Sequence, residues 1–188
     1  MSDAFDRARL IELLKRDSLK LGTFTLASGR QSHYYVDGRK VTLSAEGAAV
    51  IGAGVLDQLA DLPDVVAVGG LTMGADPIVG ATLAVAGARG HGQLRGFLVR
   101  KEAKAHGTGQ LVEGPVERGS DVVIVDDVAT TGGSSLQAVA AVEALGCTVK
   151  RVIVVLDRLE GAAAAFSAKG LDFRSLVTIR DLGVEPLS

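Results

Sequence analysis

Asp-Val-Val-Ile-Val-Asp-Asp-Val-Ala-Thr-Thr-Gly-Gly-Ser-Ser, residues 121–135, is the stretch whose reading decides the fold. Residues 122–125 are an unbroken β-branched run, the pattern of a strand covered on both faces in a parallel sheet. Asp126 and Asp127 follow at its carboxyl end, and from Ala129 the composition turns small. Ser134 or Ser135 is placed to cap a helix whose apolar positions Leu136, Val139, Ala140 and Leu145 recur at helical spacing, and Gly146 is placed to close it. Strand, acidic pair, Thr-Thr-Gly-Gly turn and helix N-terminus together set backbone N–H groups and a helix dipole in front of an anion. The two carboxylates beside that anion are free to hold hydroxyls or a metal, which makes the whole a sugar-phosphate cradle. Taken alone, the acidic pair also fits a metal site of a receiver-type domain, or the solvated end of a strand.

Working outward, a second strand-turn-helix unit precedes this one. Residues 65–68 read as a buried strand running into Gly-Gly-Leu-Thr-Met-Gly-Ala-Asp-Pro at 69–77, then an apolar helix over 78–88. Two such turns at the carboxyl edge of one parallel sheet can face a single ligand from two sides. The second turn either holds a pyrophosphate through backbone groups or is a tight turn whose glycines supply positive φ. Further strands are expected at 96–99, 111–116, 152–156 and 173–179. Helices are expected at 3–20, from Ser44 to before Leu62, and at 162–169.

Residues 23–40 read as two short β-like runs around a Ser-Gly-Arg turn and contain both tyrosines. Such a hairpin ahead of the main alternation is either a hood over a site made by later strands or an edge hairpin packed for stability. Between the strands at 96–99 and 111–116 lies Arg-Lys-Glu-Ala-Lys-Ala-His-Gly-Thr-Gly-Gln, residues 100–110. A run of this kind is usually a solvated face. Glycines at 107 and 109 also make it a hinged basic loop able to close over a polyanion.

The chain has 188 residues, enough for one domain with a sizeable core, and we expect a hood over about 1–43 and a core over about 44–188. Hydrophobic residues make up 47% with no Trp, so the interior must rest on Val, Leu, Ile and Ala, which suits an α/β fold. A formal charge of -2 offers no basic face for nucleic acid. Cys147 is the single cysteine, which excludes an intrachain disulfide and reads as packing rather than as a nucleophile. The first residues show no signal-peptide pattern and no apolar run approaches membrane-spanning length, so the expectation is a cytoplasmic protein without membrane contact.

The Asp-Asp to Ser signature at 126–134, the Arg-Lys-x-x-Lys-x-His-Gly loop at 100–107, and the hood text Phe-Thr-Leu-Ala-Ser-Gly-Arg with Tyr-Tyr-Val-Asp together resemble the orotate phosphoribosyltransferases over nearly the whole chain. The resemblance implies a type I phosphoribosyltransferase fold, a central mostly parallel twisted sheet flanked by helices under a small N-terminal hood. It also implies transfer of phosphoribose from phosphoribosyl pyrophosphate to orotate, with Mg2+ arriving on the pyrophosphate rather than in a metal site of the protein. By the same resemblance Asp126 and Asp127 hold the ribose hydroxyls, and Val128, Ala129, Thr130, Thr131, Gly132, Gly133 and Ser134 form the 5′-phosphate loop. Thr130 and Arg158 match positions that contact orotate, and Tyr34 and Tyr35 a pair beside the base. Arg100, Lys101, Lys104 and His106 match loop groups that meet the pyrophosphate. Their roles would be neutralising the leaving group, with a charge or proton-donor role for His106. A homodimer is implied, with the 100–110 loop serving the neighbouring subunit. Two basic residues that some members carry, one in the turn at 71–75 around Gly74 and one at Ala27, are absent here; backbone groups of Thr72, Met73 and Gly74 are expected to substitute in the first place. The competing assignments are a purine-base phosphoribosyltransferase, a non-catalytic sensor of phosphoribosyl pyrophosphate and a receiver-like domain.

Overall fold

A computed structural model describes residues 4–25, 29, 31–102 and 111–187. Its centre is the strand read first: β6 (Asp121–Ala129) joins β3 (Val65–Leu71), β4 (Arg95–Val99), β5 (Val112–Glu113), β7 (Thr148–Asp157) and β8 (Phe173–Thr178) in a sheet ordered β5-β4-β3-β6-β7-β8. Every neighbouring pair is parallel except β4 with β5. Side chains alternate across the sheet, so Val123 and Val125 enter one apolar layer while Val122 and Ile124 enter the other. The first layer is closed by α1 (Arg7–Leu13), α3 (Ala45–Asp57) and α4 (Asp76–Ala88) through Leu10, Ile51 and Ile78; the second by α5 (Gly133–Leu145) and α6 (Ala162–Ser167) through Val139 and Phe166. Each such side chain removed from water contributes about 1.5–3 kcal/mol, which is why positions 122–125 of β6 are all apolar.

The hairpin forms a separate two-stranded antiparallel sheet of β1 (Leu19–Thr25) and β2 (Gln31–Val36), followed by the short α2 (Arg39–Thr42). It begins earlier than its sequence suggests. The expected helix over 3–20 starts only after the Asp6 cap, widens into a π-turn at Leu14–Ser18 and stops there, because Leu19 and Lys20 pair with Val36 and Tyr35. Ser44 caps α3 as expected, its hydroxyl accepting from the Gly47 N–H at 3.1 Å. The return strand at 111–116 shrinks to two residues, since β5 is an edge strand ending at Gly114 with φ +119°. Cys147 is buried and its thiol pKa is raised by that burial, in keeping with a packing role.

Candidate active site

Strand β6 does not end at the acidic pair but runs on to Ala129, so Asp126 and Asp127 sit within its last turn of pleat and face different surroundings. Asp126 is 4% exposed. Its Oδ2 accepts from the hydroxyls of Ser134 at 2.5 Å and Ser135 at 2.9 Å, and its Oδ1 from the Asp127 N–H at 3.0 Å. Asp127 is less buried and, among the described residues, accepts only from the Val128 N–H, through Oδ1 at 2.9 Å. Burial first, and the neighbouring Asp126 charge second, push the Asp127 carboxyl up to about 6. The pair is therefore unequal: Asp126 is braced on every side, and Asp127 keeps Oδ2 for a ligand.

Turning both serine hydroxyls to Asp126 changes how α5 begins. Neither serine caps it; the cap is Gly132, in the left-handed region at φ +81°, with no side-chain hydrogen bond. A side chain at 132 would also strike the Phe166 ring, whose Cζ would lie 2.8 Å from the added carbon. Among the described residues the first-turn N–H groups of α5 thus have no side-chain acceptor, and the positive end of the helix dipole is left for an anion. At the far end Gly146 closes the helix at φ +95°, its N–H bonded to the carbonyls of Val142 and Glu143.

The turn after β3 meets the acidic pair from the other side. Its glycines are there for room, not for positive φ, which none of Gly69, Gly70 and Gly74 adopts. A Cβ on Gly70 would lie 2.1 Å from the Val125 carbonyl oxygen. One on Gly74 would lie 2.8 and 2.9 Å from the Oδ1 atoms of Asp126 and Asp127. Thr72, Met73 and Gly74 with Asp126, Asp127, Val128 and Ser134 line a cleft of about 310 Å³, completed by Lys101, Tyr35 and the segment 36–39.

Two larger hollows lie elsewhere, about 420 Å³ beside Leu62 and His91 and about 600 Å³ between α3 and α4. Neither contains a predicted site residue. Size does not locate the site; the meeting of two strand-end turns, two carboxylates and an open helix N-terminus does.

The cleft brings in residues the sequence reading passed over. Asp37, Gly38 and Arg39 arrive from the end of β2, and a Cβ on Gly38 would lie 3.0 Å from Asp127 Oδ2. Asp37 accepts from Arg39 Nε at 3.0 Å, and the guanidinium holds the Asp37 carboxyl below the usual carboxylate range. Arg39 and Lys101 are the described cations lining the cleft.

Other predicted residues fall apart from it. Alternation along β2 sends Tyr35 to the cleft and Tyr34 to the interior, so the two do not act as a pair. Tyr34 is fully buried, its hydroxyl donating to Glu160 Oε1 at 2.7 Å; burial, then that carboxylate, push its pKa up to about 12. Arg158 does not face open space either: it is 8% exposed and its Nε donates to the same Glu160 oxygen at 2.9 Å. Ala129 is buried, and Thr130, Thr131, Gly132 and Gly133 form the turn beside the cleft rather than its wall. Arg100 is exposed with its N–H bonded to the Leu111 carbonyl at 2.8 Å, closing the foot of the 100–110 loop. Lys104, His106, the hinge glycines at 107 and 109, and Ala27 lie outside the described residues.

No group of three or more His, Cys, Asp or Glu converges among the described residues. Asp127 Oδ2, without a partner among the described residues, still fits magnesium, which binds through one or two carboxylates together with substrate phosphates.

Residues 45–172 match the phosphoribosyl transferase domain family. The chain is 50% identical over 186 residues to an orotate phosphoribosyltransferase of Rhodopirellula baltica, with 96% of each chain covered. It is 47% identical to that of Thermosynechococcus vestitus, covering 94% of this chain and 92% of the relative. Among solved structures, the orotate phosphoribosyltransferase of Mycobacterium tuberculosis H37Rv in complex with 5-phospho-alpha-D-ribosyl 1-diphosphate superposes with a TM-score of 0.79 at 40% identity, over 97% of this chain and all of the other.

Proposed function

The chain belongs to the orotate phosphoribosyltransferase family, and on that premise we propose that it transfers the phosphoribosyl group of 5-phosphoribosyl 1-pyrophosphate to N1 of orotate, forming orotidine 5′-monophosphate and pyrophosphate in pyrimidine biosynthesis. The observation that carries the reading is the cleft between the two strand-end turns, where an uncapped helix N-terminus, the Asp127 carboxylate and the backbone of 72–74 surround one space.

In this reading the N-terminus of α5 and the turn at 129–134 take the 5′-phosphate, and Asp127, braced by Asp126, accepts from the ribose hydroxyls. Arg39 and Lys101 face the pyrophosphate along with the turn at 72–74. The bond from ribose C1 to pyrophosphate breaks with positive charge building on the ring, so the protein contributes position and electrostatics rather than a nucleophile. Asp127 counters that charge, while the cations stabilise the leaving group. Lys104 and His106 add to this from the 100–110 loop, whose closure keeps water from the sugar. Magnesium arriving on the diphosphate would lie beside Asp127 and would further neutralise the leaving group. Arg158 reads the orotate carboxylate, a planar match for a guanidinium.

The protein acts as a homodimer in which the loop serves the neighbouring site. The paired feet at Arg100 and Leu111 set its reach, since ten residues that leave and return together extend at most roughly 16 Å. The reading carries with it a cytoplasmic location; no described helix is long and apolar enough to cross a membrane. The test is a panel of bases given with phosphoribosyl pyrophosphate and magnesium: orotate alone should yield a nucleotide, and a nucleotide from adenine, guanine or hypoxanthine in its place would assign the enzyme to purines.

A further inference from the structure

Glu160 has no part in the chemistry above, yet its side chain is 6% exposed and one of its oxygens carries three contacts. Oε1 accepts from the Tyr34 hydroxyl at 2.7 Å and from Arg158 Nε at 2.9 Å, and lies 2.8 Å from Arg158 Nη2. The last is a charge contact only: Nη2 is off the hydrogen-bond direction and is a buried donor without an acceptor. The guanidinium is further held by the Tyr34 ring, with its carbon 4.8 Å from the centroid, and by the Tyr34 hydroxyl 3.2 Å from Nε. Arg158 therefore spends only its Nε–H among the described residues. No described acceptor takes an Nη hydrogen, so the edge that pairs end-on with a planar carboxylate keeps its donors, although Nη2 is itself shut off from solvent beside Glu160.

The local chain is built to bring Glu160 back onto Arg158. Asp157 accepts from the Leu159 N–H at 2.8 Å, and Leu159 takes φ +60°, the one described non-glycine residue with positive φ. That reversal returns position 160 to the side of 158. The segment is pinned to the phosphate turn by the Arg158 N–H to the Ala129 carbonyl at 2.9 Å and the Ala162 N–H to the Thr130 carbonyl at 3.2 Å. Tyr34 belongs to the hairpin and Glu160 to the core, so the same oxygen ties the two together.

We propose that Glu160 is the positioning residue of the base subsite: it holds the Nε edge of Arg158 and the Tyr34 hydroxyl so that the Nη edge is presented to the orotate carboxylate. The proposal rests on Arg158 reading orotate. Without Glu160 the guanidinium keeps its charge but loses its orientation, so binding of the base should suffer while binding of phosphoribosyl pyrophosphate does not.

The test measures KM for each substrate, kcat and Tm in Glu160→Ala, Glu160→Gln, Tyr34→Phe and Arg158→Ala. Glu160→Ala should raise KM for orotate about tenfold or more and leave that for phosphoribosyl pyrophosphate within about twofold. Glu160→Gln, which keeps an acceptor at the same reach, should recover most of the loss, and Tyr34→Phe should weaken orotate binding about threefold. Equal effects on both substrates, no effect on either, or the same loss in the Gln and Ala variants would overturn it. Should Glu160→Ala fail to fold, Tyr34→Phe decides: an unchanged KM for orotate overturns the proposal. Arg158→Ala separates the two ideas. If it leaves orotate binding intact, the reading of Arg158 is wrong; if it abolishes orotate binding while Glu160→Ala does not, only the role of Glu160 falls.

Discussion

The Ser134 hydroxyl donates to Oδ2 of Asp126 at 2.5 Å, and this bond divides the labour of the acidic pair. With Ser135 on the same oxygen, Asp126 is a brace whose acceptor capacity is largely spent, while Asp127 Oδ2 stays available beside the cleft. Asp127→Asn should lower kcat/KM for phosphoribosyl pyrophosphate on the order of a hundredfold, the scale of a lost positioning group. The double variant with Asp126→Asn should lose at least as much and still unfold cooperatively. Near-parental kinetics in the folded double variant would remove both residues from the site.

The raised pKa of Asp127 has a consequence for stability. Folding favours its protonated form, so the stabilisation is fully present below the ordinary carboxylate range and is lost as pH rises through about 6. Asp127→Asn cannot ionise and escapes that loss. Relative to the parent it should gain about 1–3 kcal/mol between pH 4 and pH 7, read from denaturant unfolding at each pH. A difference that stays flat across this window would show that the carboxyl titrates normally.

Gly74 offers a steric test of the same pair. An added Cβ would sit 2.8 Å from Asp126 Oδ1, so Gly74→Ala must displace a carboxylate or the turn. Misplacement near 1 Å costs on the order of a hundredfold, and we expect at least a tenfold fall in kcat/KM with little change in Tm. Unchanged activity would show that the turn at 72–74 is free to retreat from the acids.

The mostly parallel sheet and its central strand from Asp121 were legible because β-branched runs and small turns leave few alternatives in such a sheet. The serines were not: Ser134 and Ser135 stand where a helix cap belongs, and a local pattern cannot tell a cap from a ligand of Asp126 eight residues back. Arg39 and Glu160 escaped for a related reason, since each reaches its partners only through tertiary folding, Glu160 meeting Tyr34 across 126 residues. The separation of Tyr34 from Tyr35 was available in advance, because neighbours in a strand face opposite sides.

The dimer with exchanged loops is tested by mixing two inactive proteins, Lys104→Ala and the Asp126→Asn, Asp127→Asn double variant. If the loop acts in trans, each mixed dimer regains one site with both parts intact, and activity returns after subunit exchange. If it acts within its own subunit, every site keeps a defect. Mixed dimers that form and stay inactive would assign the loop to its own subunit.

The central claim, phosphoribosyl transfer to orotate, is tested most directly by following orotate absorbance in the purified protein. The account predicts a fall that needs both phosphoribosyl pyrophosphate and magnesium, releases one pyrophosphate for each orotate consumed, and is lost in the acidic-pair variant. Absorbance that holds steady with both co-substrates present and the protein folded would contradict it.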